Sequence, residues 1–146
     1  MSLSYLAQYF PKYVRDPNDP VSPDTPDYNC IAFAAGDTNN WWDDVRYWPP
    51  GVPQVWSLAS LHQAFATIGY VSCGANESLE VDFEKVAFYA DASGRPTHAA
   101  WQRSDGRWKS KLGPQHDVIH GTPNCLESNE YGKPVAYMKR ARQTNT

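Results

Sequence analysis

Among the 146 residues, the side chain best placed to act as a nucleophile is the thiol of Cys30. It stands in Tyr28-Asn29-Cys30-Ile31-Ala32-Phe33-Ala34-Ala35-Gly36, one step inside what reads as a short apolar helix. Pro26 and Asp27 ahead of it form turns, and Gly36 behind it is a helix stop. Unpaired backbone N–H groups and the helix dipole favour negative charge at such a position. That setting lowers a thiol pKa and makes the sulfur reactive. A thiol nucleophile needs a base within hydrogen-bond reach. His62 falls on the polar side of an amphipathic pattern and reads as a surface residue, while His116 and His120 fall in a stretch with no clear period. His98 differs. It opens a strand-like run just after Gly94-Arg95-Pro96, and its neighbours Thr97, Ala99 and Ala100 are small enough for another element to lie close. Taken singly, Cys30 reads as a small core residue and His98 as a satisfied strand histidine. Their joint occurrence, on these element types, points to a Cys30–His98 dyad.

The elements that would carry this pair follow from the hydrophobic period. Residues 4–10 read as a short helix or packed arm, and residues 11–27, rich in Pro and Asp, as irregular chain. The cysteine helix is apolar all round, which predicts burial. A long Trp- and Pro-rich loop follows, to about residue 55. Ser57 is a helix N-cap, with Leu58, Leu61, Ala64, Phe65 and Ile68 at three- and four-residue spacing and Gly69 as the stop. Residues 70–73 form a short strand. From residue 85 the period is two: strands are expected over 85–91, 97–103, 107–111 and 134–140. Asp105-Gly106 supplies the hairpin turn between the second and third of these. On alternation, His98 shares a face with Ala100 and Gln102. Residues 115–131 read as mostly irregular, with a helical turn near 123–128, and 141–146 as a frayed tail. Helices first and an antiparallel sheet of about 4–5 strands afterwards give an α+β fold, with the cysteine helix packed on one sheet face. The chain is read as one domain over 1–146.

Composition narrows the function classes. Hydrophobic residues are 41% and charged residues 20%, which excludes a disordered chain. No apolar run approaches the length of a membrane span, and the first residues lack the pattern of a secretory signal. The basic residues are scattered and the net charge is -3, so no nucleic-acid footprint is expected. Cys30, Cys73 and Cys125 are an odd set without zinc spacing, so neither a metal site nor any cofactor is expected. An odd cysteine count with no leader fits a reducing, cytoplasmic setting. Six Trp and nine Tyr are many for this length. Trp41, Trp42 and Trp48 cluster in one loop, either as anchors of an irregular segment or as the aromatic wall of a groove.

Two phrases, Tyr28–Gly36 and Thr97-His98-Ala99-Ala100-Trp101-Gln102-Arg103 with its hairpin partner Gly106–Gly113, resemble the papain-like cysteine hydrolases, in particular the compact NlpC/P60- and CHAP-type peptidases and amidases. Together with the strand at Tyr131–Val135 they also resemble small uncharacterised bacterial proteins. The hydrolase resemblance implies a third group behind the histidine. The phrase Asn29-Cys30-Ile31-Ala32 departs from the usual Asp-Cys-Ser-Gly, and the strand after His98 offers only Lys109 and Ser110. Asp117 is the preferred orienter, because a carboxylate fixes the tautomer and stabilises imidazolium; Ser110 is the runner-up.

The implied mechanism is amide hydrolysis through an acyl-enzyme. His98 takes the proton of Cys30, and the thiolate attacks a peptide or other amide carbonyl. The Cys30 backbone N–H and the Asn29 side chain form the oxyanion hole. Trp41, Trp42 and Trp48 line the substrate groove. The competing expectation is a catalytically inactive module on the same scaffold, binding a protein or glycan partner through the Trp-rich loop.

Overall fold

The computed structural model describes residues 5–16, 18–19, 25–112 and 116–142. Within them the chain forms helices α1 (Tyr5–Tyr9), α2 (Cys30–Ala35) and α3 (Leu58–Ala66). The strands are β1 (Val71–Gly74), β2 (Phe83–Ala90), β3 (Pro96–Gln102), β4 (Trp108–Lys111), β5 (Asp117–His120) and β6 (Lys133–Ala141), with a 3-10 turn at Pro123–Leu126. The expected α+β class is found, but the antiparallel sheet has six strands, in the order β1-β6-β2-β3-β4-β5. The added strand is β5, which lies in the stretch expected to be irregular. Its four residues are all buried, yet Asp117 and His120 at its ends break the apolar pattern; Lys109 and Ser110 of β4 satisfy them. Of the expected frayed tail over 141–146, Ala141 instead ends β6, and residues 143–146 lie outside the described residues.

Both faces of the sheet are covered. On one, α2, α3 and the Trp-rich loop pack Ile31, Ala34, Trp42, Trp48, Leu61 and Phe65 against Val86, Phe88, Ala99 and Met138. On the other, Leu6, Phe10 and Tyr13 of the N-terminal arm and Leu126 of the 3-10 turn cover Ala87, Tyr89, Ala100, Trp108, Val118 and Tyr137. Strand alternation sends successive side chains into the two layers, so β2 is buried along nearly its whole length.

Local chemistry explains the helix ends. The Ser57 hydroxyl accepts from Ser60 N–H (3.1 Å), as the sequence predicts. Gly36 takes the left-handed conformation, and the N–H groups of Gly36 and Asp37 return to Phe33 and Ala32 carbonyls, closing α2 as a Schellman-type cap. His62 is half-buried rather than free on the surface. Its Nδ1 donates to Leu58 O (2.9 Å), since a carbonyl only accepts, and its ring meets Phe88 edge-on.

Candidate functional site

Cys30 is the first residue of α2 and is 8% exposed. The helix lies across β3 and β4, which brings the sulfur beside the Ala99 backbone N–H. Burial pushes the thiol up to about 11 from 9.0, outweighing the backbone N–H groups of Ala99, Ile31 and Cys30 and the nearby Lys111 charge, which all favour thiolate. Burial therefore outweighs the helix start here. A six-residue helix supplies a small dipole, while packing against the sheet removes the water that would solvate the anion.

His98 lies on the opposite face of β3. It pairs across the strand with Tyr89, while the next residue, Ala99, faces Cys30. The imidazole stacks on Tyr131 with centroids 4.1 Å apart and meets Tyr89 edge-on at 4.9 Å. It is fully buried, and neither ring nitrogen has a hydrogen-bond partner. Burial, with His120 nearby, holds it well below its ordinary pKa, so it is neutral. The sheet thus separates the expected nucleophile from the expected base.

The two expected orienters are also elsewhere. Asp117 stands opposite Lys111 in the β4–β5 register, on the face that α2 covers, and pairs with Lys109 Nζ at 3.2 Å. Ser110 is on the His98 face but bonds His120 instead, Oγ to Nε2 at 2.8 Å. His120 Nδ1 lies 2.8 Å from Thr122 O; a carbonyl only accepts, so Nδ1 carries the proton and Nε2 accepts from the serine. The His120 pKa falls to about 4, chiefly through burial.

Asn29 is the N-cap of α2. Its Oδ1 accepts from Ala32 N (3.0 Å) and Trp42 N (3.2 Å), and its Nδ2 donates to Trp42 O (2.7 Å). The amide is engaged at both ends in pinning the Trp-rich loop to the helix start, rather than turned toward a carbonyl oxyanion. Asn29→Ala is expected to lower stability by roughly 1–3 kcal/mol, a lost cap plus two lost loop ties, read as a drop in thermal midpoint. An unchanged midpoint would remove Asn29 from this role.

The three expected groove tryptophans divide. Trp42 and Trp48 are core residues, their indole N–H groups donating to Asp37 Oδ2 (2.8 Å) and Ser60 Oγ (3.1 Å). Trp41 is half-buried and lines a cleft of about 420 Å³ at the start of α2, with Asn29, Cys30 and Ile31 also in its lining. The second aromatic of this cleft is Trp56, whose Nε1 donates to Pro96 O (2.8 Å). Trp56 lies just past the expected end of the Trp-rich loop; its position next to the Ser57 cap, where the chain must turn into α3, is the signal the sequence offers for it. Asp43, Asp44 and Glu130 also line the cleft, against the single guanidinium of Arg95. Burial raises the Asp43 carboxyl, but the Arg46 and Val45 N–H groups and the Arg46 guanidinium bring it below the ordinary range.

Among the described residues, no group of three His, Cys, Asp or Glu could hold a metal, and no helix is long and apolar enough to cross a membrane. No curated protein and no solved structure matches the chain. The model of a family described as a domain of unknown function, DUF7689, matches residues 20–139, and to that family the chain belongs.

Proposed function

We propose that the chain is a non-enzymatic binding module on a papain-like α+β scaffold, working in the cytoplasm, and that its partner docks in the cleft walled by Trp41 and Trp56. The observation that carries this reading is that Cys30, at the start of α2, packs against one face of β3 while His98 projects from the other. A dyad needs the sulfur and the imidazole within hydrogen-bond reach on one side of the sheet. The other parts of the expected machinery are engaged elsewhere: Asn29 on Trp42, Asp117 on Lys109, Ser110 on His120. The scaffold itself supports the papain-like comparison, since a cysteine-headed helix lies across two antiparallel strands.

Alkylation tests the reading. A thiol raised from 9.0 to about 11 carries about a hundredfold less thiolate near neutral pH than an unshifted one. With iodoacetamide, Cys30 is expected to react more slowly than the half-buried Cys73 and Cys125. If Cys30 reacts first, and His98→Ala abolishes that advantage, Cys30 and His98 form an activated dyad and the module reading is wrong.

A further inference from the structure

We propose that this cleft receives the cationic side chain, arginine or lysine, of a protein partner; the proposal rests on the binding-module reading and names its ligand. Two indoles, Trp41 and Trp56, and three acidic residues, Asp43, Asp44 and Glu130, line one opening, with Arg95 as the single opposing charge in its lining; indole faces and carboxylates both attract cations. The walls are set in advance. Trp56 is tied to Pro96 O, and the Trp41 carbonyl accepts from Tyr47 N–H (3.2 Å). Preorganised aromatic walls bind without a large ordering cost.

Arg46 shows the chemistry within the chain. Its guanidinium lies 5.3 Å from the Trp41 ring centroid and its Nη1 is 2.5 Å from Asp43 Oδ2. The Arg46 side chain is 62% exposed, so it holds this place weakly and an incoming cation can replace it. Arg46 is therefore an internal competitor for two of the groups a partner would use. A neutral glycan could stack on the same indoles, but it gains nothing from the excess of carboxylates and does not compete with Arg46 for charge.

The test is a titration of the full chain, followed by tryptophan fluorescence and backbone amide NMR. The probes are a glycine-flanked arginine pentapeptide, its lysine counterpart, its neutral citrulline counterpart, and an uncharged oligosaccharide. The arginine and lysine peptides are expected to bind at the cleft, and the citrulline peptide to bind roughly tenfold more weakly, in line with loss of a cation–π contact and its carboxylate partner. Added salt weakens binding. Trp41→Ala and, on an exposed residue that does not endanger folding, Glu130→Gln each reduce it. Arg46→Ala strengthens it severalfold. Equal binding of the citrulline peptide, indifference to Glu130→Gln, no gain from Arg46→Ala, or no binding of either cationic peptide would each overturn the proposal. Binding of the oligosaccharide alone at this cleft would overturn the cationic ligand while leaving the module reading in place. Rapid, His98-dependent alkylation of Cys30 is a separate result that removes the module reading itself.

Discussion

Gly132→Ala is expected to cost about 3 kcal/mol or more, a loss of order 10 °C in thermal midpoint for a chain of this size. Gly132 has φ +69°, and a Cβ there would sit 2.0 Å from Ala90 O, 2.7 Å from Ala90 C and 2.9 Å from Asp91 Cα. All three are backbone atoms at the end of β2, a strand paired on both sides, so they cannot move aside cheaply. Gly132 also closes the turn from Ser128, donating to Ser128 O at 2.8 Å. That turn carries Tyr131, which stacks on His98 and whose carbonyl accepts from the Thr97 hydroxyl. Opening it would uncover a buried imidazole. Gly51→Ala is the control. Gly51 has φ +84° but nothing within 4 Å of its added Cβ, so only the conformational cost applies, about 1 kcal/mol. Equal losses for the two variants in a denaturant titration would show that the close approach to Ala90 does not matter.

The sequence carries the strands and caps well, and the direction of the side chains poorly. Alternation places His98 with Ala100 and Gln102, and the structure keeps that grouping. It does not say which of the two faces the cysteine helix covers. In most sheets a polar face answers that question, but His98, Ala99 and Ala100 are all fully buried. With small residues on both faces, the signal that suggested room for a helix applies equally to Ala99. The Trp-rich loop fails for a similar reason. An indole is apolar enough for the core and polar enough for a wall, and only the partners at Asp37 and Ser60 send Trp42 and Trp48 inward. Strand β5 hides because its polar ends are paired by residues of β4, a long-range satisfaction that no local window contains. The Cys30 thiol is raised rather than lowered; helix-start electrostatics are local and readable, whereas desolvation by the sheet is a property of packing.

The same two-sided burial gives the second large effect. Stability is expected to fall as pH drops from 6.5 toward about 4, before most carboxylates titrate. His98 of β3 and His120 of β5 are both buried on the same face of the sheet, and both are neutral in the folded chain. Around them stand Tyr89, Tyr131 and Ser110, with the Arg107 guanidinium, itself paired to Asp19, further opposing a charge on His120. Their folded pKa values lie below the unfolded value of 6.5, so the unfolded chain binds protons first. The stability present above 6.5 is lost progressively as pH falls, until the folded pKa is passed. For His120, a fall from 6.5 to about 4 amounts to about 3 kcal/mol, and His98 adds a loss of the same sign. Carboxylates such as Glu80, held near 2 by Lys139 and Lys85, act in a lower window. His98→Phe separates the contributions. It keeps a ring on Tyr131 and removes two nitrogens that have no partner, so near pH 7.5 it is expected to leave stability unchanged or raise it by about 1 kcal/mol. Its acid slope should be shallower than that of the parent chain. Urea titrations at a series of pH values measure both quantities. A parent chain whose stability stays flat between 6.5 and about 4, or a His98→Phe variant with an unchanged slope, would mean that these imidazoles reach a proton acceptor or solvent in the folded state. In that case the dry packing around His98, and with it the separation of this residue from any chemistry at Cys30, would have to be abandoned.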